Sequence, residues 1–510
     1  MSATIETGFD TRVENLTSIM ISSEKNWNTI HRMITAIMKM EETEEDLLQD
    51  QFEKALPQES KGWFYSFLHR QINIFFVWET LQAMPPLQQD VQEIPPTPIQ
   101  SFYSGANVFI TGGTGFLGQL LVEKLLRSCP DIRTIYLLVR EKANKDMITR
   151  VDEILDECIF DKLKAACSKY KYKVIGIEGD CTLPRLGMSE QDRMMLAAEV
   201  SVVFHSAATV NFNEKLKTAV DINVKGTKEL LDFCRVMPKL KAIVHVSTVY
   251  CNCTETIIDE QVAPTKVGYK DLMTLTDMLD DTILTRITPN MLGNLPNTYT
   301  FTKRVTENMI LEEGENLPLG IYRPAIVIST YKEPLRGWIN NMYGAVGVAT
   351  GSGTGVLRVL HCDGQANANL VPADMCINGL IAVAWEVEQK FLESKQNKIS
   401  FDIPIYNYES SLDQPISWNR YLELTSMYGI ITPYLNSVWY FCLTLIKSKW
   451  LYQLAAFMVH TVPAFILDAL LLVTGKRRRF MKLYSKIHHT NFPTSYPTSA
   501  QRISNLNRRG

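Results

Sequence analysis

The sequence predicts an α/β fold in which a doubly wound parallel sheet carries helices on both faces. From residue 105 onward, short apolar runs rich in β-branched residues alternate with stretches of helical apolar spacing. A glycine-rich turn at 111–118 joins the first run to the first helical stretch. This alternation is typical of parallel sheets, because each crossover between strands places a helix against a sheet face. We also expect a helical C-terminal domain and a helical N-terminal extension.

Length and composition exclude several protein classes. A chain of 510 residues with 46% hydrophobic and 21% charged residues has the make-up of a globular protein of more than one domain. The formal net charge of −3 argues against a nucleic-acid partner. The 10 cysteines include no C-x-x-C pair, so no metal site is predicted. The polar first residues lack the apolar core of a signal peptide, so we expect a cytosol-facing protein.

Four segments are predicted along the chain. Residues 1–98 form a largely helical extension that ends in a proline-rich linker, and residues 99–405 form the doubly wound domain. Residues 406–490 form the helical C-terminal domain, and residues 491–510 form a polar tail. Within the doubly wound domain the apolar runs predict strands over 107–112, 134–140, 172–180, 200–208 and 241–250, and helices over 118–129 and 220–237.

The glycine-rich turn predicts a dinucleotide site of Rossmann type. Gly112-x-x-Gly115-x-x-Gly118 follows an apolar strand and opens an amphipathic helix, which is the context that this motif requires. The glycines allow a tight turn and a close approach of the pyrophosphate to the helix N-terminus. The alternative is a glycine-rich turn without a ligand. The predicted cofactor contacts here are Thr111, Gly112, Gly113, Thr114, Gly115, Phe116, Leu117 and Gly118.

The ends of the next strands indicate which dinucleotide binds. The second strand ends at Arg140, where an NAD-binding chain would usually carry a carboxylate, so NADPH is favoured. A surface charge is the alternative for Arg140. Asp180 ends the third strand and is suited to the adenine amine. The fourth strand ends in Ser206, Ala207 and Ala208, whose small side chains leave room for the cofactor.

Further along the chain, a group of four residues predicts that the protein transfers a proton to its substrate. Tyr299 and Lys303 are spaced i, i+4 and share one face of a helix. A nearby ammonium group is expected to lower the tyrosine pKa. Ser247, with Thr248 as a competing candidate, would hydrogen-bond a carbonyl oxygen. A Y-x-x-x-K pair alone recurs by chance, but this order of elements resembles the extended short-chain dehydrogenases/reductases. The intervening segment 259–292 is interpreted as an inserted lid or substrate-binding segment, with a surface excursion as the alternative.

A narrower resemblance rests on several segments together. "NVFITGGTGFLG", "VVFHSAATVNF", "AIVHVSTVYCN", "NTYTFTKRVTE" and "YRPAIVISTYKEPLRGW" are similar to the alcohol-forming fatty acyl-CoA reductases of male-sterility type. The resemblance implies reduction of a long-chain acyl-CoA to a primary alcohol through an aldehyde, with two NADPH consumed and CoA released. It implies the cofactor and catalytic roles given above for Arg140, Asp180, Tyr299 and Lys303. It also implies that 99–405 includes substrate-binding insertions and that 406–490 is the sterility-type domain.

Residues 434–480 predict a contact with a membrane. The stretch 434–474 is the most apolar part of the chain, and the basic "KRRRF" follows it. His460 and Asp468 are costly inside a bilayer, so a hairpin or an interfacial segment is favoured over one clean crossing. The alternative is the core of a helical domain. We expect a cytosol-facing membrane, the endoplasmic reticulum before the peroxisomal surface, and consider a homodimer.

Two other functions remain open from the sequence. One is an extended reductase or epimerase that acts on a sterol or a nucleotide sugar. The other is a catalytically silent NADP-binding protein that organises lipid enzymes at a membrane. The short polar C-terminus favours this second alternative, whereas the intact Tyr299 and Lys303 oppose it.

Overall fold

The computed structural model describes residues 95–473, except for 143–144, 168, 256, 412–413 and 435–436. The predicted extension (up to residue 94), the basic segment 476–480 and the tail 491–510 therefore lie outside the described residues. Where the linker was expected to end, residues Pro98–Tyr103 form a short helix, with Thr97 as its N-cap.

The described residues form these strands in chain order: β1 (Asn107–Thr111), β2 (Thr134–Val139), β3 (Val174–Glu178), β4 (Val202–His205), β5 (Ala242–Val246), β6 (Leu319–Pro324), β7 (Ile326–Ile328), β8 (Val359–His361), β9 (Leu370–Pro372), β10 (Ile405–Tyr408) and β11 (Thr444–Ile446). Seven of them form one parallel sheet in the order β10-β6-β5-β4-β1-β2-β3. The strand order reverses between β1 and β4. Ligands of such sheets bind at this point, outside the carboxyl ends of the strands.

The helices in chain order are α1 (Pro98–Tyr103), α2 (Phe116–Ser128), α3 (Met147–Leu155), α4 (Asp161–Ala166), α5 (Glu190–Glu199), α6 (Leu216–Val220), α7 (Gly226–Cys234), α8 (Tyr269–Met278), α9 (Asp281–Leu292), α10 (Thr298–Glu313), α11 (Gly344–Gly353), α12 (Ala373–Asn397), α13 (Trp418–Ile431), α14 (Lys449–Ala456) and α15 (Val462–Val473). The doubly wound α/β fold and the helical C-terminal region are confirmed.

Apolar layers on both faces of the sheet explain why its strands are apolar runs. Val108 and Ile110 of β1 are buried in the cluster that includes residues of α2 and α12. Phe109 between them is buried in the opposite cluster, with residues of α7 and α10. Successive side chains of a strand point to opposite faces, so a strand that is buried on both faces is apolar throughout.

Three segments differ in detail from the expectation. The helix predicted over 220–237 is interrupted by a π-helical turn, Asp221–Lys225, between α6 and α7. The segment 259–292 forms α8 and α9, and Tyr269 and Leu272 of α8 are buried in the core. A packed helical layer therefore replaces a simple surface excursion. The predicted boundary at 405/406 falls inside β10, which pairs with β6 in the main sheet.

A 25-residue helix, Lys449–Val473, ends the described chain and is long and apolar enough to cross a membrane by length and composition. His460 and Asp468 are buried against the protein, and His460 Nε2 accepts a hydrogen bond of 3.0 Å from the Arg358 amide. Apolar side chains such as Trp450 and Phe465, by contrast, are exposed to 75% and 67%. The polar side chains therefore face the domain, and much of the apolar surface faces outward.

Candidate active site

The turn after β1 is shaped for close backbone packing. Gly112 has φ +77°, and a Cβ there would lie 2.6 Å from the amide nitrogen of Ala207. A Cβ on Gly118 would lie 2.6 Å from the Gly113 Cα, so α2 packs directly on the turn. Gly115 is the N-cap of α2 and supplies no side-chain cap, which leaves amide groups at this helix end for a ligand. These features fit the pyrophosphate of a dinucleotide.

The remaining residues predicted to line the turn lie around this helix end. Thr111 ends β1, and its carbonyl and hydroxyl accept hydrogen bonds from the amides of Ser206 (3.1 Å) and Ala207 (3.4 Å). The half-buried Ala208 follows them. The Phe116 ring stacks on Trp338 with centroids 5.6 Å apart, which anchors the first turn of α2. The structure thus brings together the predicted residues from β1, α2 and the end of β4.

A buried histidine joins β1 to the helical layer. Thr227 donates its hydroxyl proton to the carbonyl of Asn223 (2.7 Å), so it accepts from His205 Nε2 at 2.9 Å. His205 Nδ1 then accepts from the Thr111 hydroxyl at 2.6 Å. Burial lowers the pKa of His205 to about 3, which keeps the ring neutral. His205 is therefore a structural support for the turn.

Two arginines lie at the end of β2, one of them missed by the sequence analysis. Arg140 Nη1 lies 3.9 Å from a carboxylate oxygen of Asp180, and 54% of the Arg140 side chain is exposed. Arg150 of α3 donates to the Arg140 carbonyl and, at 3.4 Å, to the Thr114 hydroxyl of the glycine turn. Burial, and then the charge of Arg140, lower the pKa of Arg150. The other oxygen of Asp180 accepts from both the amide and the hydroxyl of Thr182.

Helix α10 carries Tyr299 and Lys303 to the carboxyl end of β5. Asn297 caps the helix by accepting the Thr300 amide at 2.9 Å. The Lys303 ammonium donates to the Val246 carbonyl at 2.7 Å, and burial lowers its pKa to about 8. The expected lowering of the Tyr299 pKa by Lys303 is not found. Burial of the phenol raises the pKa of Tyr299 instead, and the Lys303 ammonium is directed to the β5 backbone.

Ser247 and Thr248 occupy different environments at the end of β5. The Ser247 hydroxyl donates at 2.5 Å to a carboxylate oxygen of Glu307, which is fully buried. The Thr248 hydroxyl instead donates to the Pro324 carbonyl at 3.4 Å, and the Thr248 side chain lies near Tyr299, where it opposes the rise in the tyrosine pKa. Both residues follow the last residue of β5, and the Ser247 hydroxyl is already bonded to Glu307. The geometry therefore favours Thr248 over Ser247 as the partner of Tyr299.

Known proteins are similar to this chain in sequence and in fold. The family model described as male sterility protein, of the NAD-binding type, matches residues 110–380. A Drosophila melanogaster fatty acyl-CoA reductase, wat, is 41% identical over 428 residues, which covers 84% of this chain and 81% of that protein. Fatty acyl-CoA reductase 1 of Rattus norvegicus is 37% identical over 407 residues, covering 79% of this chain and 76% of that one.

The chain belongs to the fatty acyl-CoA reductase family. It is thus an NAD(P)H-dependent oxidoreductase, as the resemblance implied. Among solved structures, the reductase domain of a non-ribosomal peptide synthetase from Mycobacterium tuberculosis matches with a TM-score of 0.51 at 17% identity, and the match covers 80% of this chain and 84% of that one. At that identity the match shows the fold alone.

Close to Tyr299 and Lys303 lies a buried ion pair that the sequence did not predict. Arg323 of β6 contacts both oxygens of Glu307, through Nε at 2.9 Å and Nη2 at 2.6 Å, and both side chains are fully buried. The guanidinium also donates to the carbonyls of Asp259 and Gln261. Glu307 follows Lys303 by one helical turn, and this i, i+4 spacing is the feature of the sequence that could have placed Glu307 near the site. The pair fixes β5, β6 and α10 relative to one another.

The described part of the chain offers no candidate metal site. There, no group of three or more His, Cys, Asp or Glu side chains could hold a metal ion.

Proposed function

We propose that this protein reduces long-chain fatty acyl-CoA to a primary fatty alcohol and free CoA, with NADPH as the reductant. The observation that carries the proposal is the contact of Thr248 with Tyr299, one helical turn from Lys303, beside a glycine turn shaped for a dinucleotide. The balanced reaction consumes one acyl-CoA, two NADPH and two protons. It yields one alcohol, one CoA and two NADP⁺.

The residues divide the work as follows. When bound, the reduced nicotinamide supplies hydride. Thr248 hydrogen-bonds the substrate carbonyl oxygen and orients it towards Tyr299. Because burial raises its pKa, Tyr299 holds its proton at neutral pH and can donate it to the oxygen as negative charge develops there. Lys303, cationic near neutral pH and held by the Val246 carbonyl, keeps a positive charge at this end of β5, one helical turn from Tyr299.

The dinucleotide is held by residues from the strand ends and from the turn after β1. The backbone of 111–118 surrounds the phosphates, the small side chains of Ser206, Ala207 and Ala208 leave room for the dinucleotide, and Asp180 accepts from the adenine amine. Arg140 and Arg150 would bind a 2′-phosphate together. The charge of Arg140 acts on the pKa of Arg150, so the two cations are neighbours, and Arg150 also contacts Thr114 of the glycine turn. This placement supports NADPH over NADH.

Replacing Arg150 by alanine is expected to raise KM for NADPH by roughly tenfold and to leave KM for NADH unchanged, since a charge-assisted hydrogen bond contributes about 1.5 kcal/mol or more. Arg140→Ala should act in the same direction. Initial rates with each dinucleotide measure the effect. Arg133→Ala is the matched control, because this arginine lies at the opposite end of β2. An equal rise in KM for NADPH and for NADH would contradict a role of Arg150 in binding the 2′-phosphate.

The helix Lys449–Val473 supports attachment to a membrane surface. Its polar side chains face the domain and its apolar face points outward, which suits a helix lying in the interface. We propose a cytosol-facing membrane, with the endoplasmic reticulum as the compartment; a homodimer stays a prediction. The full chain is expected to float with phosphatidylcholine vesicles in a density gradient. The variant Phe465→Gln/Leu470→Gln, altered at exposed positions, should float markedly less. A wild-type chain that stays in the soluble fraction would contradict the attachment.

The direct test of the reaction uses purified full-length protein with palmitoyl-CoA and NADPH. We expect hexadecanol by gas chromatography and an equal amount of free CoA by thiol titration. NADPH oxidation without CoA release would indicate an extended reductase that acts on another carbonyl compound. NADPH binding without reduction of any acyl-CoA would indicate a binding protein.

A further inference from the structure

A large, mostly apolar cavity lies between the small C-terminal sheets and helices α11 and α13. Its volume is about 1090 Å³, and its apolar lining includes Ile328, Ala349, Leu370, Ile416, Leu424 and Phe441. Among the lining residues that the structure describes, Glu409 is the one ionisable carboxylate. Ligand pockets of folded proteins are typically about 300–1,000 Å³ and mainly apolar. The cavity is therefore large enough for an extended ligand and favours an apolar chain.

The cavity lies next to the candidate active site, on the other side of one packed layer of side chains. Val371 and Tyr408 line it, and the same two residues pack against Val249 and Tyr250. Val249 directly follows Thr248, the residue that contacts Tyr299. A ligand in the cavity thus lies one layer of side chains from the end of β5.

One wall of the cavity is held in place before any ligand binds. The buried carboxylate of Asp374 accepts the backbone amides of Tyr331 at 2.8 Å, Lys332 at 2.7 Å and Glu333 at 3.1 Å. Tyr331 and Met375 on this wall line the cavity. Three charge-assisted hydrogen bonds fix the backbone of this loop, so this wall of the cavity is preorganised.

We propose that this cavity binds the hydrocarbon chain of the acyl substrate and sets the preferred chain length. The inference rests on the proposed function for the identity of the ligand. A chain that enters from the catalytic centre gains affinity with each methylene group that leaves water, until it reaches the far wall. Residues on α11 and α13, which form the walls away from β5, then determine the length that fits.

The test places a bulky side chain in the cavity from α13 in one variant and from α11 in another. Leu424→Trp and Ala349→Phe are expected to lower kcat/KM for palmitoyl-CoA by roughly tenfold relative to decanoyl-CoA, because the loss of burial of about two methylenes has that effect. The control is Met427→Trp, on the same helix but with a side chain 47% exposed to solvent. It should leave the chain-length profile unchanged. Equal loss for both substrates in the cavity variants would overturn the proposal.

A second measurement separates this inference from the proposed function. Binding of parinaric acid, a fluorescent 18-carbon fatty acid, needs no turnover. We expect its Kd to rise roughly tenfold in Leu424→Trp and in Ala349→Phe, and to stay the same in Met427→Trp. Unchanged binding in both cavity variants overturns the cavity assignment, even where the wild type reduces acyl-CoA. If the wild type binds the probe with the expected pattern but reduces no acyl-CoA, only the proposed reaction fails.

Discussion

Replacing Tyr299 by phenylalanine is expected to lower kcat for acyl-CoA reduction by about 10²- to 10⁴-fold, the usual contribution of a positioned general acid. The phenylalanine ring keeps the contact with Phe212, whose ring centroid lies 5.9 Å from that of Tyr299, so the fold is preserved. The Kd for NADPH, measured by fluorescence titration, should change less than threefold, since the glycine turn is untouched. A variant that retains more than a tenth of wild-type kcat would exclude Tyr299 as the acid.

The neighbouring hydroxyls provide the matched comparison for Tyr299. Thr248→Val removes the hydroxyl near Tyr299 and keeps the shape of the side chain, so it should lower kcat with little change in melting temperature. Ser247→Ala removes a donor to the buried Glu307 and should mainly lower stability. The opposite pattern, with kcat lost only in Ser247→Ala, would reverse the assignment of these two residues.

Replacing Glu307 by leucine is expected to destabilise the protein by about 3–5 kcal/mol, because it leaves the Arg323 guanidinium buried and unpaired. Both side chains of the pair are fully buried, so solvent offers no replacement for the lost partner. The melting temperature in a thermal denaturation experiment measures the effect. Activity should fall as well, since Ser247 and α10 lose a shared anchor.

The double variant Glu307→Leu/Arg323→Met is the control for this prediction. It removes both charges at once, so it should recover a substantial part of the stability that the single variant loses. Additive losses in the double variant would contradict the account, because they would mean that the two side chains act independently.

The sequence predicts the sheet well where local chemistry decides the structure. The five strands predicted from apolar runs all form, within a few residues of their predicted ends, because central parallel strands must be apolar on both faces. The turn at Gly112 was predictable because the tight approach to Ala207 leaves no room for a side chain. The sequence did not predict strands β6 and β10. Strand β6, "LGIYRP", is largely apolar, but its Arg323 resembles a surface charge as long as its buried partner Glu307 is not known.

The parts of the site that depend on distant contacts could not be predicted. Arg150 lies in a helix with no recognisable motif, and only folding brings it to Thr114. Nor could the sequence decide between Ser247 and Thr248, because the direction of each side chain depends on how β5 ends. The raised pKa of Tyr299 follows from burial, which the spacing of Tyr299 and Lys303 does not reveal.

The most direct test of the central claim traces the hydride from NADPH into the product with a deuterium label. The full-length protein is given palmitoyl-CoA and NADPH that carries two deuterium atoms at C4 of the nicotinamide, and the product is analysed by mass spectrometry. We predict hexadecanol with two deuterium atoms, both on C1, and none from Tyr299→Phe on the same time scale. Unlabelled hexadecanol, or the absence of any reduced acyl product, would contradict the assignment of this site to acyl-CoA reduction.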